Sequence, residues 1–372
     1  MNILNLSDNI VRLRRKKGVT QEELADFVGV TKASVSKWET KQSMPDILLL
    51  PQLAAYFNVT TDELLGYEPQ LSKEQIQKIY HDLAAGFAQL SFGEAMENSR
   101  VLVKKYYSCY PFLYQICLLW VNHFMLAQEQ ELQIKVLNEA VSLCGHILSD
   151  CGDLNICSDT VILKALIDLQ CGKAREVIES LEGILDPGRI SRQSDTILIQ
   201  AYQLDGNARK ADSFAQISMF THLTLLAGSM VQYMAMHAGD PAICDETIRR
   251  LDLLVEAFDL EHLHPNTSLG YFYQAAVIYC QQEKIPEALE RIRKYVSCVS
   301  YLLTGDHLKL GGDSYFCHLE EWFEGMDSGT EPPRARKIIL DSTVQALNHP
   351  AFKVLDQVDE FRKLKRKLMD LE

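Results

Sequence analysis

The stretch TQEELADFVGVTKASVSKWE, Thr20 to Glu39, decides how the N-terminal part of this chain folds. Thr20 and Glu23 stand three residues apart just before an apolar run. That spacing lets the hydroxyl accept from one orphan N–H while the carboxylate reaches back to another. Leu24, Ala25 and Val28 then recur at helical spacing. Gly29 supplies a turn, Thr31 caps a second helix running to about Glu39, and Val35 and Trp38 point inward from it. Working outward, a helix is expected to begin after Ser7 or Asp8 and end near Lys17-Gly18, with Ile10 and Leu13 on its apolar face and Ile3 or Leu6 beside them. Downstream, Pro51 suits a first helical turn and Leu53, Ala54 and Phe57 follow. Asn58-Val59-Thr60 breaks the chain before a short helix, Asp62 to Leu65, which Gly66 stops.

Charge separates this module from the rest. Residues 1–66 hold eight Lys/Arg and eight Asp/Glu, so the whole net charge of −13 lies in residues 67–372. An acidic bulk repels phosphate, so any nucleic-acid contact belongs to the module. Five of its cations cluster at Arg12, Arg14, Arg15, Lys16 and Lys17, and the others are Lys32, Lys37 and Lys41. The Arg12–Lys17 cluster is expected first to complement a helix C-terminus, and second to steer phosphate.

With its caps, turn and core in this register, the module resembles the lambda-repressor/Cro-like helix-turn-helix family, also called xenobiotic-response-element-like regulators. The matching pattern is R-L-R-x-x-K-G-x-T-Q-E-E-L-A-x-x-x-G-V-T-x-x-x-V-S-x-W-E, followed by L-P-x-L-A-x-x-F-x-V-T-x-D-E-L-L. The resemblance covers about 60 residues. It implies a five-helix DNA-binding domain over residues 1–66 whose third helix enters a major groove. Lys32, Ala33 and Lys37 would face base edges, with Lys suited to guanine O6/N7 and Ala33 to a thymine methyl. Gln21, Ser34, Ser36, Thr40 and Lys41 would grip phosphate, and Thr31 belongs to the same edge. Trp38 and Glu39 would be structural. Relatives commonly carry Asn-Gly after the Trp-Glu. Here Thr40-Lys41 stands instead, so this turn is expected to have a different or strained backbone.

Tyr67 to Ser72, with Pro69, reads as a hinge, and residues 73–372 read as successive helices. Spans of 73–90, 92–107, 111–126, 129–149, 159–171, 173–185, 192–204, 207–219, 221–238, 241–259, 267–282, 285–302, 313–324, 333–348 and 351–370 are expected. Gly172-Lys-Ala, Gly206-Asn-Ala and Gly239-Asp-Pro recur at intervals of 34 and 33 residues. The segment FYQAAVIYCQQEKIPEALERIRKY, Phe272 to Tyr295, is the clearest two-helix unit. These units resemble tetratricopeptide repeats, whose period is about 34 residues. The expected fold is therefore all-α: the N-terminal domain, then an α-solenoid of antiparallel helix pairs. Asn122, Gln200, Gln203, Tyr273 and Gln281 would line its concave side and bind a peptide or protein effector. The combination resembles cytosolic regulators of Gram-positive bacteria that sense short peptides through such a domain. The last helix, Phe352 to Leu371, carries an apolar stripe and is expected to cap the array or form a homodimer.

Other chemistry is not visible. No G-x-S-x-G, H-E-x-x-H, Walker loop or dinucleotide fingerprint occurs, so no catalytic residues, cofactor or metal site are expected. His262-x-His264 lacks a second ligand pair at metal spacing. Cys144, Cys151 and Cys157 lack adjacent cations that would activate them. Ten scattered cysteines without a C-x-x-C, and an N-terminus without a leader pattern, point to a cytoplasmic setting. Ser213 to Gly239 is free of Asp, Glu, Lys and Arg and long enough to cross a bilayer. Its Gln, Ser, Thr and His content argues instead for two buried helices and no membrane contact. The functional expectation is a homodimeric regulator that binds double-stranded DNA under effector control. The alternative is a protein-interaction scaffold tethered to DNA by the same module.

Overall fold

The computed structural model describes residues 5–67, 70–182, 194–305, 307–325 and 329–371. These are helical with no strand among the described residues. Contacts divide the chain into two compact units. One runs to Gln75 and takes in Glu97–Leu113; the other comprises Ile76–Met96 and Tyr114 onward. Two residues of the expected hinge, Glu68 and Pro69, lie outside the described residues, as do 183–193, which take in the end of the helix expected over 173–185 and the start of that expected over 192–204.

Up to Tyr67 the first unit holds α1 (Leu6–Lys17), α2 (Gln21–Val28), α3 (Lys32–Glu39), α4 (Leu50–Phe57) and α5 (Thr61–Leu65), with a 3-10 turn at Ile47–Leu49. Local chemistry sets each boundary. Thr20 and Thr60 both form complete capping boxes, with Glu23 and Glu63. Gly18, Gly29 and Gly66 take left-handed conformations that end α1, α2 and α5. Asn58 does the same for α4. Ile10, Leu24, Val35, Leu53 and Leu64 are fully buried between these helices, with Trp38 beside them.

The second unit stacks longer helices, beginning with residues from α6 (Lys73–Gln89), α7 (Phe92–Lys105) and α8 (Tyr110–His123). Then come α9 (Gln130–Asp150), α10 (Leu154–Gln170), α11 (Ala174–Leu181), α12 (Ser194–Leu204), α13 (Ala208–Met236) and α14 (Pro241–Ala257). The series ends with α15 (Leu260–Leu263), α16 (Pro265–Gln281), α17 (Ile285–Leu302), α18 (Glu320–Glu324), α19 (Arg336–Ala346) and α20 (Asp359–Met369). α13 packs on α12, α14 and α16, and α16 packs on α17. Two ion pairs cross from α14 to α17: Asp245 with Lys284, and Asp252 with Arg291, each 39 residues apart. The step is seven residues on both helices, so α14 and α17 run parallel.

Three interhelical turns share one geometry. Gly172, Gly206 and Glu283 all have left-handed φ, and the next residue's N–H reaches the carbonyl five residues back: Lys173 to Asp168, Asn207 to Tyr202, Lys284 to Tyr279, each at 2.9 Å. Gly239, expected to belong to this series, does not take a left-handed conformation.

Several spans differ from expectation. Residues 207–219 and 221–238 form one helix of 29 residues, because nothing between them breaks it. It is also not buried as expected. By length and composition α13 meets the requirement for a bilayer span, with 22% of its apolar window buried. The helix expected over 313–324 is restricted to Glu320–Glu324. The last helix is two pieces, a 3-10 segment at Pro350–Leu355 and α20. Phe352, Leu355, Phe361 and Leu368 from its apolar stripe are buried in the core of their own chain. The stripe thus caps the array and leaves little to offer a second copy.

Candidate nucleic-acid interface

Helix α3 is eight residues long and held from behind by Val35 and Trp38, at 0% and 4% exposure. Helical geometry then forces the intervening positions outward. Lys32, Ala33 and Lys37 are exposed, and Ser34 and Ser36 are half-buried beside them. The three residues expected to face bases thus share one edge. Lys32 Nζ lies 3.3 Å from Glu22 Oε2, with both side chains well exposed. Such a surface pair is worth at most ~1 kcal/mol, so DNA can displace it.

Of the residues expected to grip phosphate, several already have partners. The Thr31 hydroxyl accepts from the Ser34 N–H at 3.2 Å and shares a 2.9 Å hydrogen bond with the Ser34 hydroxyl. The Thr40 hydroxyl donates to the Ser36 carbonyl at 2.8 Å, and the Thr40 N–H donates there too. Phosphate oxygens only accept, so in this arrangement Thr40 offers them no proton. Lys41 occupies the turn position where the resembled pattern commonly has glycine. It takes φ +61°, and its Nζ lies 2.9 Å from Asp8 Oδ2. The expected strain is therefore at Lys41, where an L side chain sits in the left-handed region.

Gln21 stands at the start of α2 and donates through Nε2 to Glu39 Oε2 at 2.8 Å. Its second amide N–H remains for a phosphate. Glu39 also accepts from Arg14, whose Nε reaches Oε1 at 2.5 Å and whose Nη2 reaches Oε2 at 2.9 Å. A further Arg14 bond, from Nη1, runs to the Val19 carbonyl at 2.9 Å. Burial alone would raise the Glu39 carboxyl, but the hydrogen bonds from Arg14 and then Gln21 hold it below its ordinary range. One carboxylate at the end of α3 therefore ties α1 and α2 to that helix. Sequence reasoning placed Arg14 among solvated cations at a helix end and missed this role. Its partner is 25 residues away, and only the R-L-R opening of the family pattern hinted at it. Lys17 is likewise engaged: it donates to the Tyr56 carbonyl and sits 4.0 Å from the centre of the Tyr56 ring.

Residues 10–64 match the family model described as Helix-turn-helix. Over 100 residues, or 26% of this chain and 93% of the relative, the chain is 32% identical to the SPbeta prophage-derived uncharacterized HTH-type transcriptional regulator YonR of Bacillus subtilis. It is 31% identical over 84 residues to the HTH-type transcriptional activator BcrR of Enterococcus faecalis, covering 21% of this chain and 41% of that protein. It is 27% identical over 111 residues to the HTH-type transcriptional regulator ImmR of Bacillus subtilis, covering 27% and 87%. The chain belongs to this helix-turn-helix family. Its relatives are named as transcriptional regulators, which supports a DNA-binding transcriptional regulator. No solved structure matches the chain.

The five residues expected to hold an effector are not alike. Gln200, Gln203 and Gln281 are exposed. Asn122 donates through Nδ2 to the Tyr80 hydroxyl at 3.2 Å. The Tyr273 ring packs among Tyr295, His349 and Phe352, because α16 turns that side toward the C-terminal segment. Tyr273 is thus a packing residue, and Asn122 an internal hydrogen-bond donor.

No group of His, Cys, Asp or Glu suited to a metal occurs among the described residues. His262 faces Asp259 and His264 faces Thr267, each through Nδ1. Cys144 is buried, and burial followed by the neighbouring Cys151 pushes the Cys157 thiol up, away from thiolate chemistry.

Proposed function

We propose that the chain is a homodimeric transcriptional regulator whose α3 helices each read one half-site of an operator, while the helical array receives a peptide or protein effector. The observation that carries the DNA-reading part is the outward edge of α3: Lys32, Ala33 and Lys37 exposed, with Val35 and Trp38 fixing the helix from within. Paired modules would meet half-sites about 10 base pairs apart, or a multiple of that. The effector reading draws support from the parallel stacking of α14 and α17 and from the recurring turns at Gly172, Gly206 and Glu283. Such an array resembles a tetratricopeptide-like solenoid, with a surface along which an extended peptide lies. Effector binding would act by shifting the populations of dimer geometries.

The test is operator selection from random duplexes, followed by mobility shift with Lys37→Glu. Reversing one base-facing charge is expected to weaken specific binding about 100-fold or more. Thermal unfolding should not change, because Lys37 is exposed. Wild-type affinity in the variant rejects the assignment of α3. For the array, a peptide extract of the host cell should change operator affinity, and an extract without effect on any selected operator removes the effector from this reading.

A further inference from the structure

Helix α13 wears its apolar residues on the wrong side for an isolated chain. Its inner face buries Phe220, Leu223, Ala227 and Met234. Its outer face carries Met219 at 43% exposure, Leu225 at 61%, Leu226 at 51%, Tyr233 at 48% and Met236 at 71%. A contiguous exposed apolar surface of this kind marks an interaction site. The outer residues follow a rule. Met219, His222, Leu226, Ser229, Tyr233 and Met236 are spaced three, four, three, four and three, the alternation of a two-helix seam. Over its 18 residues this stripe is about 26 Å long at 1.5 Å per residue.

We propose that this stripe is the contact between two copies of the chain, with the α13 helices crossing antiparallel about a two-fold axis near Gly228. The inference rests on the reading that the regulator works in pairs, and it says where they join. In that arrangement Met219 of one copy meets Met236 of the other, His222 meets Tyr233, and Leu226 meets Ser229. Each contact is made twice, as an isologous interface requires. Gly228 and Ser229 near the centre are small enough to let the backbones approach.

Charge selects a second copy as the occupant. The chain carries −13, so two copies repel each other over most of their surface. From Ser213 to Gly239 there is no Asp, Glu, Lys or Arg at all. Among the described residues, two carboxylates border the stripe and both have a cationic partner or a histidine: Asp195 lies 3.2 Å from His222 Nε2, and Glu246 pairs with Arg249 and Arg250 at 2.8 Å. Beside the stripe, a cleft of about 780 Å³ opens between α13 and α14, lined by Leu226, Met230, Tyr233 and Ile243 and by the Glu246–Arg250 ion pair. It offers room for Leu225 of the second copy, extending the contact beyond one helix toward the area that a specific dimer buries.

The experiment is sedimentation equilibrium of the full chain over a wide concentration range, with Leu226→Glu and Tyr233→Lys compared to wild type. Wild type is expected at twice 42.2 kDa. Either variant should raise the dimer dissociation constant about 100-fold, because it buries an unpaired charge in the seam. The far-UV circular dichroism spectrum should show the same helix content in at least one variant, since both positions are half exposed in the single chain, while melting falls by the stability that pairing adds. Two folded variants with wild-type dimer affinity overturn the α13 seam and leave pairing intact. A monomeric wild type overturns both readings. Flotation of that monomer with phosphatidylglycerol vesicles would assign the stripe to lipid instead.

Discussion

A two-pronged arginine–carboxylate pair with a third, neutral donor occurs in both parts of this molecule, and the two examples serve different ends. In the DNA-reading module Arg14 grips Glu39, with Gln21 completing the carboxylate. In the helical array Arg291 grips Asp252 at 2.5 and 2.7 Å, with the Tyr271 hydroxyl donating at 2.6 Å. The module's carboxylate sits on α3, so its position sets that of the edge proposed to read DNA. The array's carboxylate joins α14 to α17 and sets how one helix pair stacks on the next. Solvent also differs: the Glu39 side chain is 7% exposed and that of Asp252 is 36%. The same chemistry is therefore worth more in the module, where water cannot replace the arginine.

That difference gives the largest expected effect. Arg14→Ala strands a buried charge and should cost about 3–5 kcal/mol of the module's stability, with operator binding lost in parallel. Arg291→Ala strands a carboxylate that water can reach and should cost about 2 kcal/mol. Urea unfolding of the two variants checks the order. Equal losses would mean that exposure does not govern these pairs.

How far each region was legible follows from the distance between signal and partner. Thr20 with Glu23, Gly29, Thr31 and the inward Val35 and Trp38 all act within a few residues, so the sequence sufficed for α2, α3 and the edge between them. The Arg14–Glu39 pair spans 25 residues, and neither side chain announces the other. In the array nearly everything decisive is of that distant kind. Tyr273 is packed by His349 and Phe352, far along the chain. The spacing of Met219, Leu226 and Tyr233 says that they share a helix face, but not whether that face meets a neighbour. Burial is a property of the assembled helices, which is why α13 was expected inside. The turns at Gly172 and Gly206 were readable because glycine is the residue that the left-handed position favours. Glu283 takes the same conformation without that marker.

Acid should separate the regions next. His123 in the array is buried, its Nδ1 lies 2.8 Å from the Leu119 carbonyl, and its ring stacks on Phe87 at 4.4 Å. Its Nε2 is buried without a hydrogen-bond partner. Burial pushes this imidazole down from 6.5 to about 4. The unfolded chain therefore takes up the proton first. The stability from neutral His123 is present above pH 6.5 and is lost as pH falls toward 4. Between pH 7 and pH 5 the loss should be about 2 kcal/mol. His123→Phe keeps the stacking and should flatten most of that slope in melting curves. An unchanged slope would place the acid sensitivity elsewhere, with the half-buried His264 the next to test.

The smallest effect is the most informative about the reading edge. Lys41 holds φ +61° just after α3, where a side chain costs about 1–2 kcal/mol. Its pair with Asp8 is exposed on both sides and returns at most ~1 kcal/mol. Glycine relieves the strain but gives the unfolded chain more freedom, so Lys41→Gly should stabilise the module by about 0.5 kcal/mol. If Lys41 also reaches a phosphate, the variant should bind operator more weakly at low salt. The slope of log affinity against log salt should shrink by about 0.9, one released counterion. A more stable protein with a shallower salt slope would mean that the strained turn is kept for DNA. A more stable protein with an unchanged slope would mean that Lys41 serves only to bridge Asp8, leaving phosphate contact to Gln21, Ser34 and Ser36.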